Sequence, residues 1–337
     1  MVQLFGGLKV GAIVCSTRST VEDPFYPGKA AGDVYDNRFK ESHSIPFLPE
    51  HVPQGLAAWS NWSHGSGEDD LLLITSYDPA ERYSLIIGID AKTGKRIGAA
   101  KIAYSHVGGI AVFEKLGWAF VSDEEPRKVR RYSLKKLADA ISTSDKKILD
   151  SEPPDQSVIG ASFLTSHGPT NTLWAGNFKQ SAKGGRSRMK AYKVDKNGQL
   201  KPENGSWEVP IKTQGVVVTK DFLIYSTSFG RNNRSNLYVV RRGKGETDLD
   251  NARLFCFRSP SMSEGIAVYG DNLYVLYESG ARIYNPPIAP GSPKPDVPRN
   301  KISNLHRAPL SSLEELPPRS GPSRPAPIGP DKRKLKR

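Results

Sequence analysis

The feature that most constrains this chain is a phrase that recurs five times. A polar or small residue, a glycine and a run of small or branched apolar residues occur as Gln54-Gly55-Leu56-Ala57-Ala58 and Gly108-Gly109-Ile110-Ala111-Val112. They return as Ile159-Gly160-Ala161-Ser162-Phe163, Gln214-Gly215-Val216-Val217-Val218 and Glu264-Gly265-Ile266-Ala267-Val268. The repeat glycines stand at 55, 109, 160, 215 and 265, a period of 50 to 55 residues. Each copy leads to a stronger apolar run, at 71–77, 118–123, 173–178, 222–229 and 273–278, and then to a third, at 84–90, 129–134, 189–194, 236–240 and 281–284. Runs of this length between Gly, Asn and Asp turns read as strands.

Fourth strands are expected at 96–103, 147–150, 207–212 and 253–257, and none in the fifth copy, where a proline-rich stretch follows Tyr284. Such a period, met five times, predicts an all-β fold: a β-propeller of about five four-stranded blades. An N-terminal strand near Lys9 to Val14 is expected to complete the last blade. The domains are then an N-terminal arm with the closing strand (1–45), the propeller (46–287) and a disordered, basic tail (288–337). One helix is expected at 134–142, inserted in blade two, with Leu134, Leu137, Ala138 and Ile141 on one face. The glycines have a physical reason: innermost strands converge on the axis, where a side chain would collide with the next backbone.

Charge separates the tail from the rest. The chain carries +13, and 11 Lys/Arg against 4 Asp/Glu fall between 286 and 337, with half of the 26 prolines. A stretch so poor in apolar residues builds no core. It reads as a solubilising tail, or as a patch for acidic partners such as nucleic acid or an anionic polymer. The tail has no aromatic residue on which bases could stack. No apolar run approaches the roughly 18–20 residues of a membrane helix. Residues 4–15 lack a basic n-region, so no clear signal peptide is seen. Two cysteines, Cys15 and Cys256, are too few for a disulfide scaffold or a four-cysteine zinc site. G-x-S-x-G, the P-loop and a helix-opening G-x-G-x-x-G are all absent.

Glu264-Gly265-Ile266-Ala267-Val268, Asn272-Leu273-Tyr274-Val275 and Arg282-Ile283-Tyr284 resemble the repeats of NHL and SMP-30-like propellers. Over 51–284 the chain also resembles a group of secreted actinobacterial propeller proteins, through His51-Val52-Pro53-Gln54-Gly55, His106-Val107-Gly108-Gly109 and Ser261-Met262-Ser263-Glu264-Gly265. The resemblance implies an extracellular protein, the alternative being a cytoplasmic one. It also implies a divalent metal on the axis, held by side chains just before the repeat glycines. Those positions here are Gln54, Gly108, Ile159, Gln214 and Glu264, a single carboxylate. A hard cation takes six to eight oxygens, so a metal is not the favoured reading.

Loops at a propeller's axial mouth converge, which nominates residues at the ends of the inner two strands. The catalytic candidates are His51, His106, Glu264 and Glu278. Gln54, Tyr77, Asp123, Asn177, Gln214 and Ser228 are the ligand-binding candidates. His51 and His106 precede repeat glycines at similar distances, so both are expected near the axis; otherwise they cap strand edges. Glu264 and Glu278 are candidates for a carboxylate pair. The leading expectation is a monomer that binds a small molecule or polysaccharide, small or extended and polar, at the axial mouth. The rivals are an SMP-30-like hydrolase or lyase, metal-dependent or acid–base, using His51, His106 and Glu264, and a platform whose basic tail docks acidic partners.

Overall fold

The computed structural model describes residues 2–4, 8–10, 33–62, 69–144, 147–181, 183, 185, 187–244, 253–287, 296–298 and 300–313. Five antiparallel sheets, four-stranded at their simplest, form the blades. Their innermost strands are Val52–Trp59, Ile110–Phe113, Phe163–His167, Thr213–Val218 and Ser263–Tyr269. Each adjoins the next, and Ser263–Tyr269 meets Val52–Trp59 again, so the ring closes as a β-propeller.

The repeat glycines explain the closeness. A Cβ on Gly109 would lie 2.3 Å from the Leu164 nitrogen, and one on Gly265 would lie 2.5 Å from the Leu56 nitrogen. Gly55 abuts the Gly109–Ile110 backbone, and Gly215 the Glu264–Ile266 backbone, in the same way. The third copy departs from this pattern: a Cβ on Gly160 would meet Asn177 of its own blade. The inner strand there starts only at Phe163, and Leu164 takes the place next to blade 2.

Strand alternation buries one stripe of each blade against the next. Among the described residues, five apolar clusters fill the five gaps between consecutive blades. At roughly 1.5–3 kcal/mol for each fully buried large apolar side chain, these gaps hold the ring together. The helix Leu134–Thr143 buries Leu134, Leu137 and Ile141, and it joins the gap between blades 1 and 2.

Several expectations about blade edges are corrected. In blade 2 the outer strand is Glu152–Ser157, while Ile148–Leu149 crosses over to run parallel to Arg96–Ile102 at the rim of blade 1. Blade 3 ends in two short strands, Leu200–Pro202 and Trp207–Val209, both paired with Ser187–Val194. In blade 5, residues 282–284 form a short 3-10 turn rather than a third strand. The third strand is Asn304–Pro309, drawn from beyond the prolines. The propeller therefore reaches past 287, because Leu305 and Ala308, on opposite faces of the strand, are buried in the gaps on either side of blade 5.

Closure does come from the N-terminal side, through Lys40–Ser44, which pairs with Asn304–Pro309 as the outer strand of blade 5. The segment proposed near Lys9 to Val14 does not close the ring. Leu8–Val10 pairs with Val2–Leu4 in a separate two-stranded ladder, and residues 11–14 lie outside the described residues. Lys40–Ser44 succeeds because the preceding helix, Asp33–Arg38, is anchored in the core. Tyr35 stacks on Phe39 with centroids 4.3 Å apart, and its hydroxyl lies 2.5 Å from the Tyr277 hydroxyl and 2.9 Å from His306 Nδ1. Most of the expected tail, 288–295 and 314–337, lies outside the described residues.

Candidate functional site

The inner strands of blades 1, 4 and 5 share a local irregularity. Their register with the second strand slips between Pro53 and Leu56, between Thr213 and Gly215, and between Ser263 and Ile266. Each slip contains the residue just before the repeat glycine: Gln54, Gln214 or Glu264. A bulge re-aims the side chain it carries, and here all three end up in the wall of one cavity of about 490 Å³ at the axial mouth. Blades 2 and 3 have no such slip, and their wall residues Gly108, Ala161 and Ser162 are small. The polar groups of the floor thus come from the arc of blades 4, 5 and 1, while the segment 106–124 of blade 2 adds His106, Ser122, Asp123 and Glu124 to the wall. The backbone entering the inner strands is held in the left-handed region at Val107, Lys212 and Met262, with φ of 44°, 64° and 63°. Such a conformation costs roughly 1–2 kcal/mol for a residue with a side chain.

The floor is a hydrogen-bonded carboxyl pair. Glu264 is almost fully buried, and its side chain bonds that of Glu278, at the end of the second strand of the same blade. The Gln214 amide donates to Glu264 Oε1 at 3.1 Å, and the Gln54 amide donates to Glu278 Oε2 at 3.0 Å. The Tyr284 hydroxyl donates to the same Oε2 at 2.8 Å. With its one proton given away, the Tyr284 oxygen accepts from Tyr77, whose hydroxyl bonds it. Two carboxylates cannot both ionise in this setting without partners. Burial first, and then the neighbouring Glu278, push the Glu264 carboxyl well above the usual range. Burial also raises Glu278, to about 7, against the hydrogen bonds from Tyr284 and Gln54 that favour its charge. Glu264 is therefore the proton holder and Glu278 the acceptor of the pair.

His106 opens on the cavity and stacks on Tyr77 with centroids 4.5 Å apart. Loss of hydration lowers its pKa, and the charge of Glu124 partly opposes this. Asp123 also lines the wall, but Arg130 clamps it through two bonds of 2.9 and 3.1 Å, so its charge is spent within the blade. Ser228 lines the wall as a buried residue. Tyr77 stands behind His106 and Tyr284, outside the lining itself.

Two candidates are placed elsewhere. Asn177 is not in the lining and accepts the Arg188 N–H at 2.8 Å, which secures the strand end; its neighbour Phe178 faces the cavity. His51 does not share the axial space with His106. Its N–H bonds the Phe47 carbonyl at 2.8 Å in a tight turn, which tucks the ring between Phe47 and Tyr83. Both ring nitrogens are buried without a hydrogen-bond partner, and burial lowers the pKa. The trio of His51, His106 and Glu264 is thus not assembled. Among the described residues no three His, Cys, Asp or Glu side chains group as metal ligands.

Sequence reading missed Tyr284, Arg231, Phe178, Phe229, Met262 and Glu124, all in the lining. Tyr284 was hidden because its run imitates a strand, although at 281–284 it is the shortest third run of the five copies.

No family model matches the chain. No curated protein matches it in sequence either. Solved structures similar to it include the nidogen/laminin complex, at 13% identity and TM-score 0.36 over 68% of this chain and 73% of that one. Glutaminyl cyclase of Myxococcus xanthus is similar at 7% identity and TM-score 0.46, over 71% of this chain and 91% of the other. Hydrazine synthase of Kuenenia stuttgartiensis is similar at 11% identity and TM-score 0.35, over 72% and 76%. Likeness at this level carries no argument about ligand or activity, and one propeller scaffold hosts many functions. The NHL and SMP-30 resemblance rests on the repeat phrases alone.

Proposed function

We propose that this protein is a ligand-binding propeller whose axial cavity takes a polar molecule. The observation that carries this reading is the convergence of four polar side chains from three blades, Gln54, Gln214, Glu264 and Glu278, on one cavity floor. Burying them costs free energy that an apolar plug would avoid, and a cavity of this size falls in the range of small-molecule sites. A thermal-shift and ligand-observed NMR screen of polar metabolites and oligosaccharides tests the reading. Hits are expected to lose about tenfold or more in affinity, about 1.4 kcal/mol, in Gln214→Ala. A screen without hits, or hits indifferent to Gln214 and Glu264, would count against it.

A second reading, acid–base catalysis, draws on the same floor. A carboxylic acid hydrogen-bonded to a carboxylate offers a donor and an acceptor at neutral pH, and His106 stands in the same wall. His51 drops out of that scheme by its position. The platform reading depends on tail residues outside the described set.

An oxidising, extracellular setting is supported by Cys256, which is disulfide-bonded. No helix among the described residues is long and apolar enough to cross a membrane.

A further inference from the structure

The rim of the cavity is wider than the cavity and differs from it in character. Four large apolar side chains are strongly exposed among the described residues; Phe229, at 39%, lines this mouth, and Ile283 at 49% and Val297 at 36% are the chain neighbours of Tyr284 and Asp296. They are gathered by Arg231, which lies over the Tyr284 ring at 5.1 Å and donates to the Asp296 carbonyl. Asn232 adds a bond of 2.9 Å to the Asp296 carboxylate. A molecule confined to the cavity leaves this rim bare, whereas a chain segment lying across the mouth covers it.

The floor selects the chemistry of what enters. The Gln54 amide gives its two N–H groups to Glu278 and to the Pro53 carbonyl, and Gln214 gives one to Glu264, so the two carbonyl oxygens and the carboxylate of Glu278 outnumber the single remaining Gln214 N–H. Such a floor offers acceptors and negative charge, and so it suits a group that only donates. The aromatic pair Phe178 and Phe229, 6.1 Å apart at the wall, suits a flat cation better than a compact ammonium.

We propose, building on the ligand-binding reading above, that the mouth docks a basic segment of a separate protein. One arginine guanidinium enters toward Glu278, and its apolar neighbours lie on Phe229, Ile283 and Val297. The competing occupant is the chain's own basic segment 314–337, which leaves the fold far from the mouth. It follows Pro309–Leu313, and Pro309 pairs with Asn272, at the end of blade 5 opposite Tyr277 and the mouth. A net charge of +13 also gives the molecule no diffuse attraction for a cationic peptide, so binding reports on the mouth itself. A guanidinium beside Glu278 adds to the charge of Arg231 in favouring the ionised form, so docking releases the proton that Glu278 takes up below about pH 7, while Glu264 keeps its own, and binding strengthens as pH rises toward neutrality.

The test is fluorescence polarisation on the full chain with a labelled acetyl-leucyl-arginyl-leucyl amide and its citrulline counterpart, which is neutral but nearly isosteric. The arginine peptide is expected to bind about tenfold or more tightly than the citrulline one, as for loss of a charge-assisted contact. Glu278→Gln should bring that ratio close to one without weakening the citrulline peptide. Phe229→Ala, at an exposed position that leaves the fold intact, should weaken both peptides alike. Equal binding of the two peptides, a ratio unchanged in Glu278→Gln, or no binding of the arginine peptide overturns the inference. If the polar-metabolite screen yields ligands sensitive to Gln214 while the peptides fail, the inference falls and the cavity reading stands. If both fail, both fall.

Discussion

Glu264 is the residue on which the site turns, because its environment settles its protonation and the protonation settles what the cavity can bind. Its proton is held by burial and by the adjacent Glu278, so in the folded state the pair binds more protons than two exposed glutamates would. Stability from this source is complete below about pH 4.5 and is lost as pH rises through the raised folded-state values. Glu264→Gln keeps a donor toward Glu278 and removes the titrating group. Denaturation midpoints of this variant are expected to fall less than wild type between about pH 5 and 8; parallel curves would contradict the shared proton. His306 has the opposite sign. Burial pushes it down to about 4, so its contribution is present above the unfolded value of 6.5 and is lost as pH falls toward 4. The difference corresponds to roughly 3 kcal/mol, and His306→Gln should flatten the acid limb of the stability curve by a large part of that amount.

At the scale of the element, the repeat glycines and the bulges beside them do separate jobs. The glycines let neighbouring inner strands touch, and the bulges turn the preceding side chains onto the axis. Gly265→Val tests the first job. Its side chain would be forced against the Leu56 and Gln54 backbone, and a loss of roughly 1–3 kcal/mol or more is expected in chemical denaturation. The same change at Gly117, where a Cβ would meet nothing within 4 Å, has no such clash and carries only the cost of its left-handed φ of 77°. Equal losses at the two positions would mean that crowding at the axis is not what the glycine relieves. The repeat phrase made the glycines readable in the sequence, together with the equivalent positions of Gln54, Gln214 and Glu264 just before them. The bulges were not readable, because a one-residue slip leaves no mark in an apolar run. That is why His51 looked equivalent to His106: the spacing to the glycine is nearly equal, but one residue sits in a tight turn and the other in an open loop.

For the molecule as a whole, ring closure makes the site. Gln214, Glu264 with Glu278, and Gln54 belong to blades 4, 5 and 1, and Gln54 reaches Glu278 only because the last blade returns to the first. The five-bladed plan followed from the repeat alone. The closing strand was harder to find, because Lys40–Ser44 is short and polar and is held by what precedes it, Tyr35 and Phe39 in the core, rather than by its own pattern. Asn304–Pro309 was obscured by the prolines around it. Tyr277→Phe should therefore loosen closure as well as the local core, costing about 1–3 kcal/mol for the Tyr35 hydroxyl that loses its partner. Amide exchange should rise in Lys40–Ser44 and Asn304–Pro309 ahead of the other blades; uniform exchange across the five blades would speak against a latch. The most direct measurement is the carboxyl carbon-13 titration of selectively labelled Glu264 and Glu278 in the full chain. The account predicts a Glu264 signal that remains protonated at pH 7 and responds when Glu278 is replaced by Gln. Two independent titrations near the ordinary glutamate value of 4.5 would contradict it.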